Sequence, residues 1–301
     1  ESQGMKNVLT QLKPERIEDL IAVTALYRPG PMDSIPVYID CRHNPSHIRY
    51  KHPLLKEILG VTSGCIIYQE QVMQIFRELA GYSYGRADIV RRAMSKKKLD
   101  VMEKERTAFI FGCEENGIDK TVANTIFDQM SEFAKYAFNK SHAACYALVA
   151  YRTAYLKCYC PAEFMAALMT SVLDQSNKIA RYTAECKRLG IRLAPADINT
   201  SMQGFTANKK IINYGLLGIK NVGKEFVDDI VKERKNGEFK DLPDFCMRLQ
   251  GKHFNRRAVE SLIRCGAMDC FDLNRRQMLQ ALPSIAANIE NYRQRTQYGQ
   301  V

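Results

Sequence analysis

The sequence predicts a mainly α protein. A helical first domain, residues 1–192, is followed by a smaller helix–hairpin–helix domain, residues 193–301, with one short β-hairpin. Three observations lead there. Apolar residues recur at helical spacing through most of the first 190 positions. The pattern changes after Ile191, where Pro195, Asp197 and Asn199 read as a linker. Two short apolar runs, residues 205–207 and 211–214, then flank Asn208-Lys209-Lys210, which is hairpin spacing.

The elements follow in order. Lys13-Pro14-Glu15 opens a helix with Pro in its first turn, and Ile17, Leu20, Ile21 and Thr24 form its inner stripe. Tyr27-Arg28-Pro29-Gly30-Pro31 ends it, because two prolines and a glycine cannot continue a helix. Residues 36–53, rich in His, Asn and Pro, read as an irregular excursion, and Ile66-Ile67-Tyr68 as a short strand. Helices are expected over 69–80, from Ser83 through Met94, over 99–116 and, capped by Asp119, to about 136. Further helices run from Ser141 to Tyr159, from Pro161 and over 177–189. In the second domain they cover 223–235, 242–249, 255–264 and 274 onward.

Composition narrows the function. The 301 residues are 46% hydrophobic, enough for a sizeable core, and carry a net charge of +11, which favours an anionic partner such as nucleic acid or nucleotide. No apolar run approaches a bilayer span, and the basic charge is spread rather than gathered on one amphipathic helix, so no membrane partner is expected. The ten cysteines include no C-x-x-C pair, and they read as small buried hydrophobes of a reducing cytoplasm rather than as disulfides or a zinc site. No metal ligands are assigned. A kinase or ATPase is disfavoured, because no G-x-x-x-x-G-K-[ST] loop occurs.

Two stretches point to phosphate. Phe138-Asn139-Lys140-Ser141-His142-Ala143-Ala144 reads as a loop turning directly into a helix. A helix start presents unpaired amides and partial positive charge, Lys140 adds a full charge, and Ser141 is placed to cap or to bind an oxygen. Arg86 to Lys98 holds six basic residues and one acid, Asp88. Arg91 and Arg92 emerge there beside the stripe Ala87, Val90, Met94, suited to grip phosphate oxygens bidentately. A third stretch, Gly218-Ile219-Lys220-Asn221-Val222-Gly223, precedes a helix beginning near Lys224. Its two glycines admit close backbone approach, and its amides can hold a nucleic-acid phosphate without reading sequence.

Taken together, these motifs resemble the bacterial DNA polymerase III alpha subunit family, the C-family replicative polymerases. The resemblance is carried by Glu1-Ser2-x-Gly4-Met5, Leu26-Tyr27-Arg28-Pro29-Gly30-Pro31, Tyr68-Gln69-Glu70-Gln71-Val72-Met73-Gln74-Ile75 and Ala80-Gly81-Tyr82-Ser83. Arg91-Arg92-Ala93-Met94, Phe138 to Ala143, Pro161-Ala162-Glu163-Phe164-Met165-Ala166-Ala167 and Gly218 to Gly223 extend it in order over nearly the whole chain. It implies that residues 1–192 are the fingers and residues 193–301 the tandem helix–hairpin–helix region that holds duplex DNA. Arg91 and Arg92 would contact the incoming deoxynucleoside triphosphate, with Lys140, Ser141 and His142 on the same face and Arg28 lining the approach. For His142 a hydrogen bond to phosphate is favoured over a proton-donor role. Gly218, Lys220, Asn221, Gly223 and Lys224, with Lys96 and Lys97, would contact DNA.

Cys145 departs from the family's more usual Ala, a mild change. The larger departure is that the chain contains no Asp-x-Asp, the pattern with which the family's palm holds Mg2+. The resemblance therefore implies a fragment without the palm, inactive alone. Its partners would be template–primer DNA and dNTP and, in the intact bacterial cytoplasmic enzyme, the sliding clamp and other replicase subunits. The alternative is a non-enzymatic helical DNA-binding scaffold.

Overall fold

The computed structural model describes residues 2–95, 99–134, 136–250 and 253–297. It is mainly α, as expected, with a three-stranded sheet after the helical region. Contacts divide it into two compact units, residues 1–152 and 153–301.

The first unit begins with α1 (Gln3–Leu12), α2 (Ile17–Leu26) and α3 (Ile35–His43). Helix α1 is not among the expected elements, although Met5, Val8, Leu9 and Leu12 have helical spacing. Ser2 caps it, and Lys13 ends it in the left-handed region at φ 48°. Lys13-Pro14-Glu15 is therefore a connection, not a helix start. Helix α2 begins at Ile17 because the Asp19 carboxylate accepts the Glu15 and Arg16 amides at 3.1 and 3.2 Å. Residues 35–43 are helical, contrary to the expected excursion. Pro36 occupies the first turn, where its missing N–H costs nothing. Tertiary contacts hold the rest: Tyr38 is buried, and Arg42 reaches Asp19 at 2.9 Å.

Helices α4 (Leu55–Leu59), α5 (Gln69–Ala80), α6 (Tyr84–Ser95), α7 (Leu99–Glu115) and α8 (Lys120–Ala134) surround a second core. At its centre Phe76 meets Phe109 and Phe127 edge-on at 5.1 and 6.1 Å. Asp119 caps α8 through the Thr121 and Val122 amides, as its position in the sequence predicts. Helices α5 and α7 cross closely at Gly112, where a Cβ would lie 2.5 Å from the Ala80 carbonyl oxygen.

Ile66-Ile67-Tyr68 forms no full strand. The buried Gln71 amide takes its place, accepting from the Ile67 and Tyr68 amides at 2.8 and 2.9 Å and donating to Thr62 and the Ile58 carbonyl. What remains is one parallel bridge, Tyr68 to Phe138. That bridge matters for the site, because it joins the chain entering α5 to the chain entering α9 (Lys140–Tyr159).

In the second unit, α10 (Pro161–Thr170) and α11 (Ser176–Arg188) pack on a sheet of β1 (Arg192–Ala194), β2 (Thr206–Asn208) and β3 (Ile211–Asn213). The expected hairpin is β2–β3, and β1 adds a parallel strand to β3. Helices α12 (Lys224–Glu233), α13 (Leu242–Leu249), α14 (Arg256–Cys265) and α15 (Arg275–Gln297) enclose a separate core around Phe226, Phe245 and Leu262. All ten cysteines are free, but only Cys113, Cys186 and Cys246 are buried. Cys145, Cys158, Cys160, Cys265 and Cys270 are exposed, against the expectation of a buried set. The exposed members sit on helix faces and at helix ends, where spacing alone does not tell inside from outside. Among the described residues, no helix is long and apolar enough to cross a membrane.

Candidate nucleotide and nucleic-acid interface

The Tyr68–Phe138 bridge sets the N-termini of α5 and α9 side by side, and side chains complete the joint. Gln69 donates its backbone N–H to the Phe138 carbonyl at 2.9 Å and its side-chain amide to the Ala137 carbonyl at 3.0 Å. Its Oε1 in turn accepts from Arg91 Nη1 at 3.0 Å. Glu70 accepts from Asn139 Nδ2 at 3.0 Å and, with both oxygens, from the Lys140 amide at 3.1 Å. Arg28 donates Nε to the Ala25 carbonyl at 2.9 Å and Nη2 to the Tyr136 carbonyl, with its guanidinium 4.3 Å over the Phe138 ring. Burial pushes that guanidinium below its ordinary pKa.

The structure thus brings Arg28, Arg91 and Lys140 into one connected set, and Arg92 joins through Asp88. Asp88 accepts from Arg91 Nη2 and pairs with Arg92 Nη2, both at 2.7 Å. The Arg91 hydrogen bond is the main cause that holds the Asp88 carboxyl below its usual range. The two arginines differ in freedom: the Arg91 side chain is 16% exposed and held on two sides, whereas Arg92 is 67% exposed. Arg91 and Arg92 share the single carboxylate of Asp88, whereas Arg28 is bonded to backbone carbonyls and Lys140 Nζ lies over the Tyr68 ring.

The amides of α9 are a correction to the sequence reading. Three of the first four are already taken. Lys140 N–H is taken by Glu70, His142 N–H by Asn139 Oδ1 at 2.8 Å, and Ala143 N–H by the Asn139 carbonyl. Asn139, not Ser141, is the capping side chain. Any anion held here would be held mainly by side chains. Lys140 Nζ lies 5.5 Å from the Tyr68 ring centre, Ser141 is exposed, and the His142 ring meets Phe138 edge-on and Tyr146 at a tilt, at 5.3 and 4.8 Å. Glu70, Gln69, Asn139 and Asp88 organise this surface without having been singled out for it. Their signal lay in adjacency: two sit in the Tyr68-Gln69-Glu70-Gln71 motif and one directly precedes Lys140.

In the second unit the stretch from Gly218 to Gly223 forms the turn before α12. Asn221 adopts the left-handed region at φ 67°. Gly223 is the N-cap of α12, no side chain caps it, and a Cβ there would meet nothing within 4 Å. Gly218 has a different reason for lacking a side chain: a Cβ would lie 2.9 Å from the protein's own Tyr214 ring. Lys220 and Lys224 are exposed. Lys96 and Lys97 lie outside the described residues. Among the described residues, no group of three or more His, Cys, Asp or Glu side chains is placed to hold a metal ion.

Comparison with known proteins finds two family models along the chain. The family model for the bacterial DNA polymerase III alpha subunit finger domain matches residues 1–117. A helix–hairpin–helix motif model matches residues 190–278. The DNA polymerase III subunit alpha of Bacillus subtilis is 45% identical over 282 residues, 94% of this chain and 25% of its own length. That of Borreliella burgdorferi is 44% identical over 301 residues, 100% of this chain and 26% of its own. That of Vibrio cholerae is 44% identical over 309 aligned residues, 100% of this chain and 27% of its own. The chain spans about a quarter of the length of these relatives.

Proposed function

The chain belongs to the bacterial DNA polymerase III alpha subunit family, and we propose that it supplies the fingers and duplex-holding parts of a replicative DNA-directed DNA polymerase of the bacterial cytoplasm. Residues 1–192 bind the incoming dNTP; residues 193–301 hold the template–primer duplex. Function and compactness need not divide the chain at the same residue. The observation that carries the nucleotide reading is the cationic set Arg28, Arg91, Arg92 and Lys140, drawn from two helices and a loop and joined through Gln69, Glu70 and Asp88.

On this reading Arg92 takes a triphosphate oxygen directly. It is the exposed member, and exchanging Asp88 for a more highly charged partner costs it little reorganisation. Arg91 is fixed in orientation before any ligand arrives, so its hydrogen-bond fork loses little entropy on binding. Lys140, Ser141 and His142 line the same edge, with His142 hydrogen-bonding to phosphate. The tip neutralises and orients the triphosphate for attack by the primer 3′-hydroxyl. The described residues do not fit a metal site, and the sequence lacks Asp-x-Asp, so no step of the reaction is assigned to Mg2+ here. Sliding clamp and other replicase subunits would act through parts outside these 301 residues, and the isolated chain would not polymerise.

The test is steady-state incorporation by the full-length polymerase. Arg92→Ala should lower kcat/KM for dNTP by about 10- to 100-fold, the size of a lost charge-assisted hydrogen bond of roughly 1.5–3 kcal/mol. The fold should stay intact, because the side chain is largely exposed. Arg91→Ala should lower kcat/KM and also stability, since it breaks the Gln69 and Asp88 contacts. Unchanged kcat/KM in both variants would refute the nucleotide reading and leave a DNA-binding scaffold.

A further inference from the structure

The turn from Gly218 to Gly223, the hairpin of the helix–hairpin–helix, does not stand alone. A cavity of about 580 Å³ lies beside it, lined by Lys220 and Asn221 of the hairpin and by Ser261 and Arg264 of α14. Asn221 reaches across: its Nδ2 donates to Ser261 Oγ at 3.2 Å. Ser261 donates its own proton to the Arg257 carbonyl at 3.0 Å. That hydroxyl is thus committed on both sides, which makes it a brace for Asn221 rather than a ligand.

Arg264 lines the cavity and differs from Arg256 and Arg275. Arg256, two turns earlier on α14, is tied to Glu260 at 3.1 Å. Arg275, at the start of α15, is tied to Asp269 at 2.8 and 2.5 Å. Arg264 is exposed, and no ion pair engages its guanidinium among the described residues. Lys220 is exposed in the same way. The second turn, between α14 and α15, is closed by contrast. Asn274 and Gln277 exchange side-chain-to-amide bonds at 3.0 Å each, capping α15 from within.

We propose that the duplex-binding face is a composite of this hairpin and the C-terminal half of α14. Arg264 and Lys220 take backbone phosphates of one DNA strand on either side of the cavity, and Ser261 positions Asn221 between them. A guanidinium and an ammonium flanking a concave surface with no acidic side chain in its lining suit a polyanion and exclude a bare cation, and the helix–hairpin–helix match over residues 190–278 favours a nucleic-acid backbone as that polyanion. This rests on the duplex-holding reading of the second domain.

The experiment is fluorescence anisotropy of a mixed-sequence duplex with this 301-residue chain, titrated over a range of salt. Each phosphate contact contributes about 0.9 to the slope of log K against log salt. Lys220→Ala and Arg264→Ala should each reduce that slope by about 0.9 and weaken binding about five- to tenfold at low salt. Arg188→Ala, which removes an exposed charge on α11, should leave the slope unchanged. Ser261→Ala should weaken binding with the slope intact, and Ser261→Thr should restore it. Melting curves would verify folding, and both cations are exposed. If Arg264→Ala behaves like Arg188→Ala while Lys220→Ala loses slope, the composite face is overturned and the hairpin reading survives. If Lys220→Ala also behaves like Arg188→Ala, or the unaltered chain shows no salt-dependent duplex binding, the duplex-holding reading falls with it.

Discussion

Glu70 offers the sharpest test of the proposed nucleotide edge, because one substitution should move two observables in opposite directions. Its carboxylate accepts from Asn139 Nδ2 at 3.0 Å and, through both oxygens in one bifurcated bond, from the Lys140 amide at 3.1 Å. It also sits at the positive end of α9, a helix of 20 residues. Loss of an N-terminal cap costs about 1–2 kcal/mol, and the charge–dipole contribution at a partly buried site lies within that range. Glu70→Ala should therefore lower unfolding stability by about 1–2 kcal/mol, read as a shift in the denaturant midpoint at constant m-value. Glu70→Gln should cost less, because one acceptor oxygen remains. Both substitutions remove a negative charge from the Lys140 tip, and Glu70→Ala also frees its amide. If the tip meets triphosphate, nucleotide affinity should rise several-fold in the full-length enzyme, measured as KM or Kd for dNTP. Equal stability of Glu70→Ala and the unaltered protein would refute the capping argument. Reduced stability with no gain in nucleotide affinity would instead refute the placement of triphosphate at this helix tip.

Two further predictions concern the first unit. Asp19 is 1% exposed; burial alone would raise its pKa, but the Arg42 hydrogen bond and the Glu15 and Arg16 amides outweigh that and hold it below its usual range. A depressed folded value means that its stabilisation is present above the unfolded value of about 3.9 and is lost as pH falls through the folded value. Acid titration should show this loss below about pH 4, and Asp19→Asn should remove it while costing roughly 3 kcal/mol at neutral pH by leaving Arg42 short of a partner. Equal neutral-pH stability of Asp19→Asn would sink the argument. Gly112→Ala would push a Cβ to 2.5 Å from the Ala80 carbonyl oxygen and force α5 and α7 apart. It should lower stability by about 1–3 kcal/mol in chemical denaturation, and a neutral result would show that the crossing can relax.

Helix starts and stops marked by single strong signals were legible: Asp119 before α8, Gly81 after α5 and Pro161 opening α10. Elements decided by tertiary contact were not. Helix α3 carries weak local signals and exists because Tyr38 and Arg42 meet Asp19, about 20 residues earlier. The strand expected at Ile66-Ile67-Tyr68 failed for a similar reason, since a buried glutamine satisfied the amides that a neighbouring strand would have taken. Strand β1 is three residues long and is defined only by its partner β3. In each case the deciding group lies outside the window that a local pattern samples.

The same distinction governs the candidate site. The cations were readable because a basic residue beside an apolar stripe stands out along the chain. Their counter-groups were not, because Glu70 meets Lys140 across 70 residues and Gln69 meets Arg91 across 22. Those counter-groups decide what each cation can do. Arg91, gripped by Asp88 and Gln69, is oriented in advance and cannot follow a moving ligand. Arg92, tied only through Asp88 and mostly in solvent, can exchange its partner at low cost. A surface that combines one pre-oriented and one mobile guanidinium can fix part of a polyphosphate while tracking the rest as the leaving pyrophosphate separates. On that argument, substitution at Arg91 acts first on the orientation of bound nucleotide and therefore on kcat, and substitution at Arg92 acts first on capture and therefore on KM.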